Sequence, residues 1–150
     1  MKMNILLLDI DHTISDAAWR DDMIASGNWD EYHLAGKEDV VVEEIAELIK
    51  SLIDWEIICV TARPEKWRTQ TMQWFIRHRI PVTEILMRPN DGYSSAPETK
   101  VQLLRKRFGD NLDQLEENNV IIMDDNEKVI EAMRSLGITT MQVTISKRRK

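Results

Sequence analysis

Cysteine is nearly absent from this chain. Cys59 is the one thiol in 150 residues, which excludes an internal disulfide. With three histidines and no Cys/His cluster, a structural zinc site is excluded too. Long apolar runs are also missing. The longest aliphatic stretch, Ile5-Leu6-Leu7-Leu8, falls far short of the roughly 20 residues that a membrane-spanning helix takes. Asp9 and Asp11 follow it at once, and no small-residue cleavage site closes an apolar region, so no secretory pattern is present. What is there is 43% hydrophobic and 31% charged, a soluble globular balance rather than a disordered one. The expectation is one cytoplasmic domain over residues 1–150, with no membrane association and no obligate protein partner.

Positive charge is scarce except at one end. Twenty basic residues face 26 acidic ones, but Lys147-Arg148-Arg149-Lys150 are all basic; without them the count is 16 against 26, or −10. An acidic body is a poor footprint for a long duplex, because backbone affinity comes from Lys and Arg neutralising phosphates. The basic tail reads as a solvated, frayed terminus.

Short apolar runs alternate with longer amphipathic ones. Strands are expected at Asn4–Leu8, Glu56–Val60, Glu84–Met87, Val120–Met123 and Thr139–Val143. Helices are expected at Asp39–Leu52, Glu65–His78, Pro97–Phe108 and Asn126–Leu136, the last closed by Gly137. Such alternation predicts an α/β fold: a Rossmann-like, three-layer parallel sheet with helices on both faces. Ligands bind beyond the carboxyl ends of such strands. The residues there are chemically selected. Asp9, Asp11 and Thr13 follow the first strand, Thr61 and Arg63 the second, Arg88 the third, and Asp124 and Asp125 the fourth, while Lys100 opens the next helix.

Four converging carboxylates repel unless a cation compensates them. All-oxygen ligation favours Mg²⁺, which keeps waters for phosphate oxygens. Mg²⁺, a carboxylate nucleophile and fixed cations together suit phosphoryl transfer. Taken singly, each aspartate is as well explained as a cap or turn former, and Lys100 as a surface lysine. As a set at successive strand ends, they point to a magnesium-dependent phosphate site.

Asp9-Ile10-Asp11-His12-Thr13 resembles the D-x-D-x-T signature of the haloacid dehalogenase (HAD) phosphatase superfamily. Thr61, Lys100 and Asp124-Asp125 match its other three motifs in order. The resemblance implies a HAD-like core with at most a small cap, and these roles: Asp9 as nucleophile forming an aspartyl-phosphate, Asp11 as general acid and base, Thr61 holding phosphate oxygens and Lys100 neutralising charge. It further implies Mg²⁺ held by Asp9, Asp125 and the Asp11 carbonyl, with Asp124 in support. The chain is also similar to the phosphatase domain of phage-type polynucleotide kinase-phosphatases, through Thr61-Ala62-Arg63, Leu86-Met87-Arg88 and Asp124-Asp125. That likeness implies hydrolysis of 3′-phosphates on nucleic-acid ends or nucleotides. No phosphate-binding G-x-x-x-x-G-K-[ST] loop of a kinase half is present, so a stand-alone phosphatase is expected. His12 and Ala62 stand where glycine is common in these motifs.

Substrate choice is less legible. Residues 15–37, rich in Trp, Asp and Gly, are either a small lid or a packing element. Trp29 and Tyr32 in it could stack on a base, and Thr13, Arg63 and Arg88 could hold phosphate. The expected partner is a phosphorylated small molecule, such as a nucleoside 5′-monophosphate or sugar phosphate, or a nucleic-acid 3′ end. A receiver-like phospho-acceptor is disfavoured by motif order: receivers put their acidic pair after the first strand and the acceptor Asp after the third, the reverse of this chain.

Overall fold

The computed structural model describes residues 1–146; the basic tail at 147–150 lies outside the described residues. In chain order come β1 (Asn4–Leu8), β2 (Ser15–Asp16), α1 (Asp22–Ala25), α2 (Trp29–Ala35), β3 (Val40–Val41), α3 (Glu43–Ser51), β4 (Trp55–Pro64), α4 (Arg68–Arg77), β5 (Val82–Arg88), α5 (Ala96–Phe108), α6 (Asp113–Glu116), β6 (Asn119–Asp124), α7 (Glu127–Ser135) and β7 (Thr139–Gln142). Five strands form one parallel sheet in the order β5-β4-β1-β6-β7, while β2 and β3 pair antiparallel beside it. The expected parallel α/β architecture is present.

Alternation along the strands divides the core in two. Leu6, Leu8, Ile57 and Cys59 face Ala46 and Ile49 of α3 and Trp74 and Phe75 of α4. Ile5, Leu7, Ile58 and Val60 face Leu104 and Phe108 of α5 and Val129 and Met133 of α7. A strand covered on both sides must be apolar at every position, which is why β1 reads as an unbroken aliphatic run. Cys59 is buried, and burial raises its thiol pKa, so it packs as a small hydrophobe.

The helix ends are set by local chemistry. Ser95 caps α5 by accepting from the Glu98 N–H at 3.3 Å. Asn126 caps α7, accepting from the N–H groups of Lys128 and Val129 at 2.9 and 3.2 Å. Because Asn126 takes the capping duty, Asp124 and Asp125 are left for other partners. At the far end of α7, Gly137 (φ 80°) donates to Arg134 O and Ile138 to Met133 O, the paired bonds of a glycine-terminated helix.

One helix starts later than the sequence pattern predicts. Residues 40–42 are three β-branched valines; Val40 and Val41 pair with Ser15–Asp16, so α3 begins at Glu43 rather than Asp39. The second strand runs on through Thr61, Arg63 and Pro64, carrying these residues past the sheet edge.

Candidate active site

Register brings the acidic residues together. Leu8 lies opposite both Cys59 and Met123, and the Asp9 N–H donates to Met123 O at 3.0 Å, so the ladder continues one residue beyond β1. Asp9 therefore emerges between the ends of β4 and β6. The loop after it is tight: Thr13, Ile14 and Ser15 all donate their N–H groups to Ile10 O. His12 sits in the left-handed region (φ 64°), the backbone position where glycine is common and one that His tolerates better than most residues.

Asp9 is buried and bound on both oxygens. Lys100 Nζ lies 2.7 Å from Oδ1, and the Thr13 hydroxyl donates to Oδ2 at 2.8 Å. Lys100 also reaches Asp124 Oδ2 at 2.5 Å, bridging two strand ends. Asp124 uses its other oxygen to accept from Asn126 N–H at 2.9 Å. One oxygen from each of Asp9, Asp124 and Asp125 lies within 4.8 Å of the others. Burial and then the field of Asp9 push the Asp125 carboxyl up to about 8. Burial and Asp9 raise Asp124 as well, opposed by Lys100. Burial alone would lower Lys100, but Asp9 and Asp124 outweigh it and hold the ammonium above the ordinary lysine range. Three crowded carboxylates with one ammonium leave an excess of negative charge, and every donor is oxygen. That set fits a hard divalent cation of the Mg²⁺ kind.

Asp11, two residues on, belongs to a different layer. Its side chain faces two arginines: Arg63 binds it through Nη2 (2.6 Å) and Nε (3.1 Å), and Arg20 Nη2 through the same Oδ1 at 2.5 Å. Burial favours the neutral acid, yet Arg63 and then Arg20 overcome it and hold this carboxyl well below the usual range. Thr61, buried at the end of β4, accepts the Arg63 N–H on its hydroxyl at 3.1 Å and keeps its own O–H as a donor.

Arg20 and Asp39 were not among the residues singled out from sequence. Arg20 is fully buried and forms a two-bond fork with Asp39, at 2.8 and 2.6 Å. Asp39 also accepts Trp19 Nε1 at 2.9 Å, and its backbone oxygen accepts Trp74 Nε1 at 3.1 Å. Asp39 is thus a buried anchor, not the helix opener its position suggests. Gly36 completes the packing. A Cβ there would lie 3.3 Å from a guanidinium nitrogen of both Arg20 and Arg63, so the absence of a side chain lets the two cations approach. The only sequence hint is that Arg20 follows the small and apolar run Ala17-Ala18-Trp19.

Other expected substrate contacts are placed differently. The Tyr32 ring is buried with the Arg20 guanidinium 4.2 Å from its centroid, so it supports Arg20 rather than offering a free stacking face. Arg88 donates to Ala62 O (2.7 Å) and Ser94 O (2.6 Å), fastening the loop after β5 to the end of β4. Thr13 is spent on Asp9, with a longer contact of 3.3 Å to Asp125. Trp29 remains about half exposed at the cleft side of α2. No helix among the described residues is long and apolar enough to cross a membrane.

Residues 3–147 match the family model for the polynucleotide kinase PNKP phosphatase domain. Over 98% of its length the chain superposes on chains in two structures of a Pnkp1/Rnl/Hen1 RNA repair complex, with TM-scores of 0.73 and 0.76 at 20% identity. It spans a little under half of those chains, 47% and 44%. It is also similar in fold to the HAD-hydrolase YfnB from Bacillus subtilis, solved bound to magnesium, with a TM-score of 0.69 at 14% identity over 95% of this chain and 89% of that one. No curated protein matches the chain significantly. The chain belongs to the PNKP phosphatase-domain family and is a HAD-type phosphatase.

Three outcomes follow from this geometry. Asp39→Ala strands Arg20 beside Asp11 and should cost about 3–5 kcal/mol in urea denaturation, the range for removing one partner of a buried pair. Gly36→Ala should leave stability nearly unchanged yet lower kcat/KM severalfold, since displacements well below ~1 Å already weaken catalysis; unchanged kcat/KM would show that the two guanidiniums need no such fit. A proton on Asp125 competes with a cation until pH passes about 8. The Tm increase produced by Mg²⁺ should therefore grow from pH 6 to pH 8, as read by thermal unfolding; a pH-independent increase would place the ion elsewhere.

Proposed function

We propose that this chain is a Mg²⁺-dependent phosphomonoesterase working through an aspartyl-phosphate on Asp9, and that it acts on 3′-phosphates of nucleic-acid ends or nucleotides. The observation that carries the reading is the division of charge around two aspartates only two residues apart. Asp9 lies in the carboxylate cluster beside Lys100, whereas Asp11 lies against Arg20 and Arg63.

Residues Asp9, Asp124 and Asp125 would hold the cation, which when bound neutralises charge on phosphate oxygens. Lys100 and the Thr13 hydroxyl fix the Asp9 carboxylate for attack on phosphorus. Attack forms the Asp9 O–P bond and breaks the bond from phosphorus to the ester oxygen. Asp11 gives a proton to that departing oxygen, then takes one from the water that attacks the aspartyl-phosphate and frees Asp9. In the free enzyme the arginine pair keeps Asp11 ionised. A phosphate dianion drawn to the same guanidiniums competes with Asp11 for them, returning the proton affinity that an acid needs. Thr61 donates its O–H to a phosphate oxygen from the opposite strand end.

The preference for 3′-phosphates rests on the family assignment and on the small size of the segment over the site. Residues 15–41 contribute only two short helices and a two-strand pair, which leaves room for a polymer end. A panel of nucleoside 3′- and 5′-monophosphates, 3′-phosphorylated oligonucleotides and sugar phosphates, with and without Mg²⁺, tests the substrate. Asp9→Asn should reduce turnover by ~10⁴-fold or more with Tm intact, because it deletes the nucleophile alone; near-normal turnover would refute the mechanism. Highest activity on a sugar phosphate would reassign the substrate and leave the chemistry standing.

A further inference from the structure

Two buried side-chain nitrogens among the described residues have no hydrogen-bond partner: His33 Nδ1 and Trp67 Nε1. They belong to neighbouring rings. His33 on α2 is 92% buried, and its ring centroid lies 6.1 Å from that of Trp67, which sits in the single turn Glu65–Trp67 between β4 and α4. The half-exposed Trp29 stacks on His33 from the other side, with centroids 6.0 Å apart and planes at 27°. A sealed polar atom without a partner is costly and uncommon, and two in adjoining rings mark a place that a ligand completes.

The place is next to the chemistry. His33 lies within the electrostatic reach of Asp11, Arg63 and Arg20, and burial lowers its pKa to about 4, so the ring is neutral. Arg63 is joined to this neighbourhood through Thr71, whose hydroxyl donates in turn to Trp67 O. A leaving group attached to a phosphate beside Asp11 therefore has an aromatic wall within reach, one with a neutral imidazole and an indole N–H. Planar rings bearing edge acceptors match that chemistry, and charged or purely aliphatic groups do not.

The spacing also suits a flat ring. A base held between two aromatic rings needs about 7 Å, twice the ~3.4 Å rise of stacked bases. His33 and Trp67 stand slightly closer and tilted by 34°. The contacts that hold α2 in place are few and near the surface: the exposed pair Lys66–Asp30 at 2.8 Å and a bond from Gln70 to His33 O at 2.6 Å. Exposed pairs of this sort resist displacement weakly.

We propose that Trp29, His33 and Trp67 form a seat for the nucleobase of the nucleotide whose phosphate is removed, with α2 moving outward to admit the base between His33 and Trp67. This rests on the phosphatase reading above. The test compares thymidine 3′-monophosphate with its abasic counterpart, a deoxyribose 3-phosphate lacking the base. The wild-type KM should be roughly tenfold lower for the base-bearing substrate. Trp67→Leu, Trp29→Ala and His33→Leu should each bring the KM ratio of the two substrates towards one. A ratio near one in the wild type, or one that persists in all three variants, would overturn the seat while leaving the phosphatase assignment intact.

Binding provides a readout that needs no turnover or variant ring. In Asp9→Asn, thymidine 3′-monophosphate should quench tryptophan fluorescence and inorganic phosphate should not; equal responses would also overturn the proposal. If no phosphomonoester is hydrolysed at all, the phosphatase reading fails, and the quenching comparison still decides the seat. A 3′-phosphorylated oligothymidylate separates the two sources of the base. A lower KM than the mononucleotide identifies a chain end and an equal KM a free nucleotide; either result supports a base seat when the abasic substrate binds worse.

Discussion

Lys100 holds the centre of this molecule together. Its ammonium is shared between Asp9 at the end of β1 and Asp124 at the end of the neighbouring β6, so one cation spans the line where two central strands stop. Without it, Asp9, Asp124 and Asp125 would force their charges against one another in a buried setting, where repulsion is poorly screened. With it, the cluster is only partly neutralised. The unusually high proton affinity of Asp125 is the measure of what remains, and a divalent cation is the natural complement.

A second charge system is stacked beside the first with the opposite sign. Arg20 and Arg63 converge on Asp11, with Asp39 behind Arg20 and Gly36 leaving the space for both guanidiniums. The segment between β1 and α3 is therefore more than a cover. It supplies Arg20, its anchor and the shelf beneath it, so part of the phosphate-handling charge depends on a piece of chain that lies outside the main sheet. Two aspartates of the same motif thus meet different surroundings: Asp9 is an oxygen held in place among other carboxylates, and Asp11 is a carboxylate whose proton affinity is set by guanidiniums.

How much of this could be read in advance varied with the kind of interaction. The five sheet strands were legible because burial on both faces leaves no polar position in β1, and because each strand ends at a chemically distinct residue. The convergence of Asp9, Lys100, Asp124 and Asp125 followed from the rule that parallel strands present their carboxyl ends to one side. The arginine layer was not legible. Arg20 meets Asp39 across 19 residues and Arg63 meets Asp11 across 52, pairings that leave no periodic trace. Asp39 looked like the start of a helix because it precedes an amphipathic stripe, but three valines held the chain extended and Arg20 claimed the carboxylate. Arg88 and Tyr32 were plausible ligand contacts by residue type, and backbone carbonyls in one case and Arg20 in the other took up those groups instead.

The most direct measurement is to locate the phosphoryl group during turnover. A reaction with a labelled nucleoside 3′-phosphate and Mg²⁺, stopped in acid and digested at low pH, should yield the label on the peptide containing Asp9, in a form that hydroxylamine releases. Label on Asp11 or Asp125, or active hydrolysis with no labelled protein at any time point, would contradict the account.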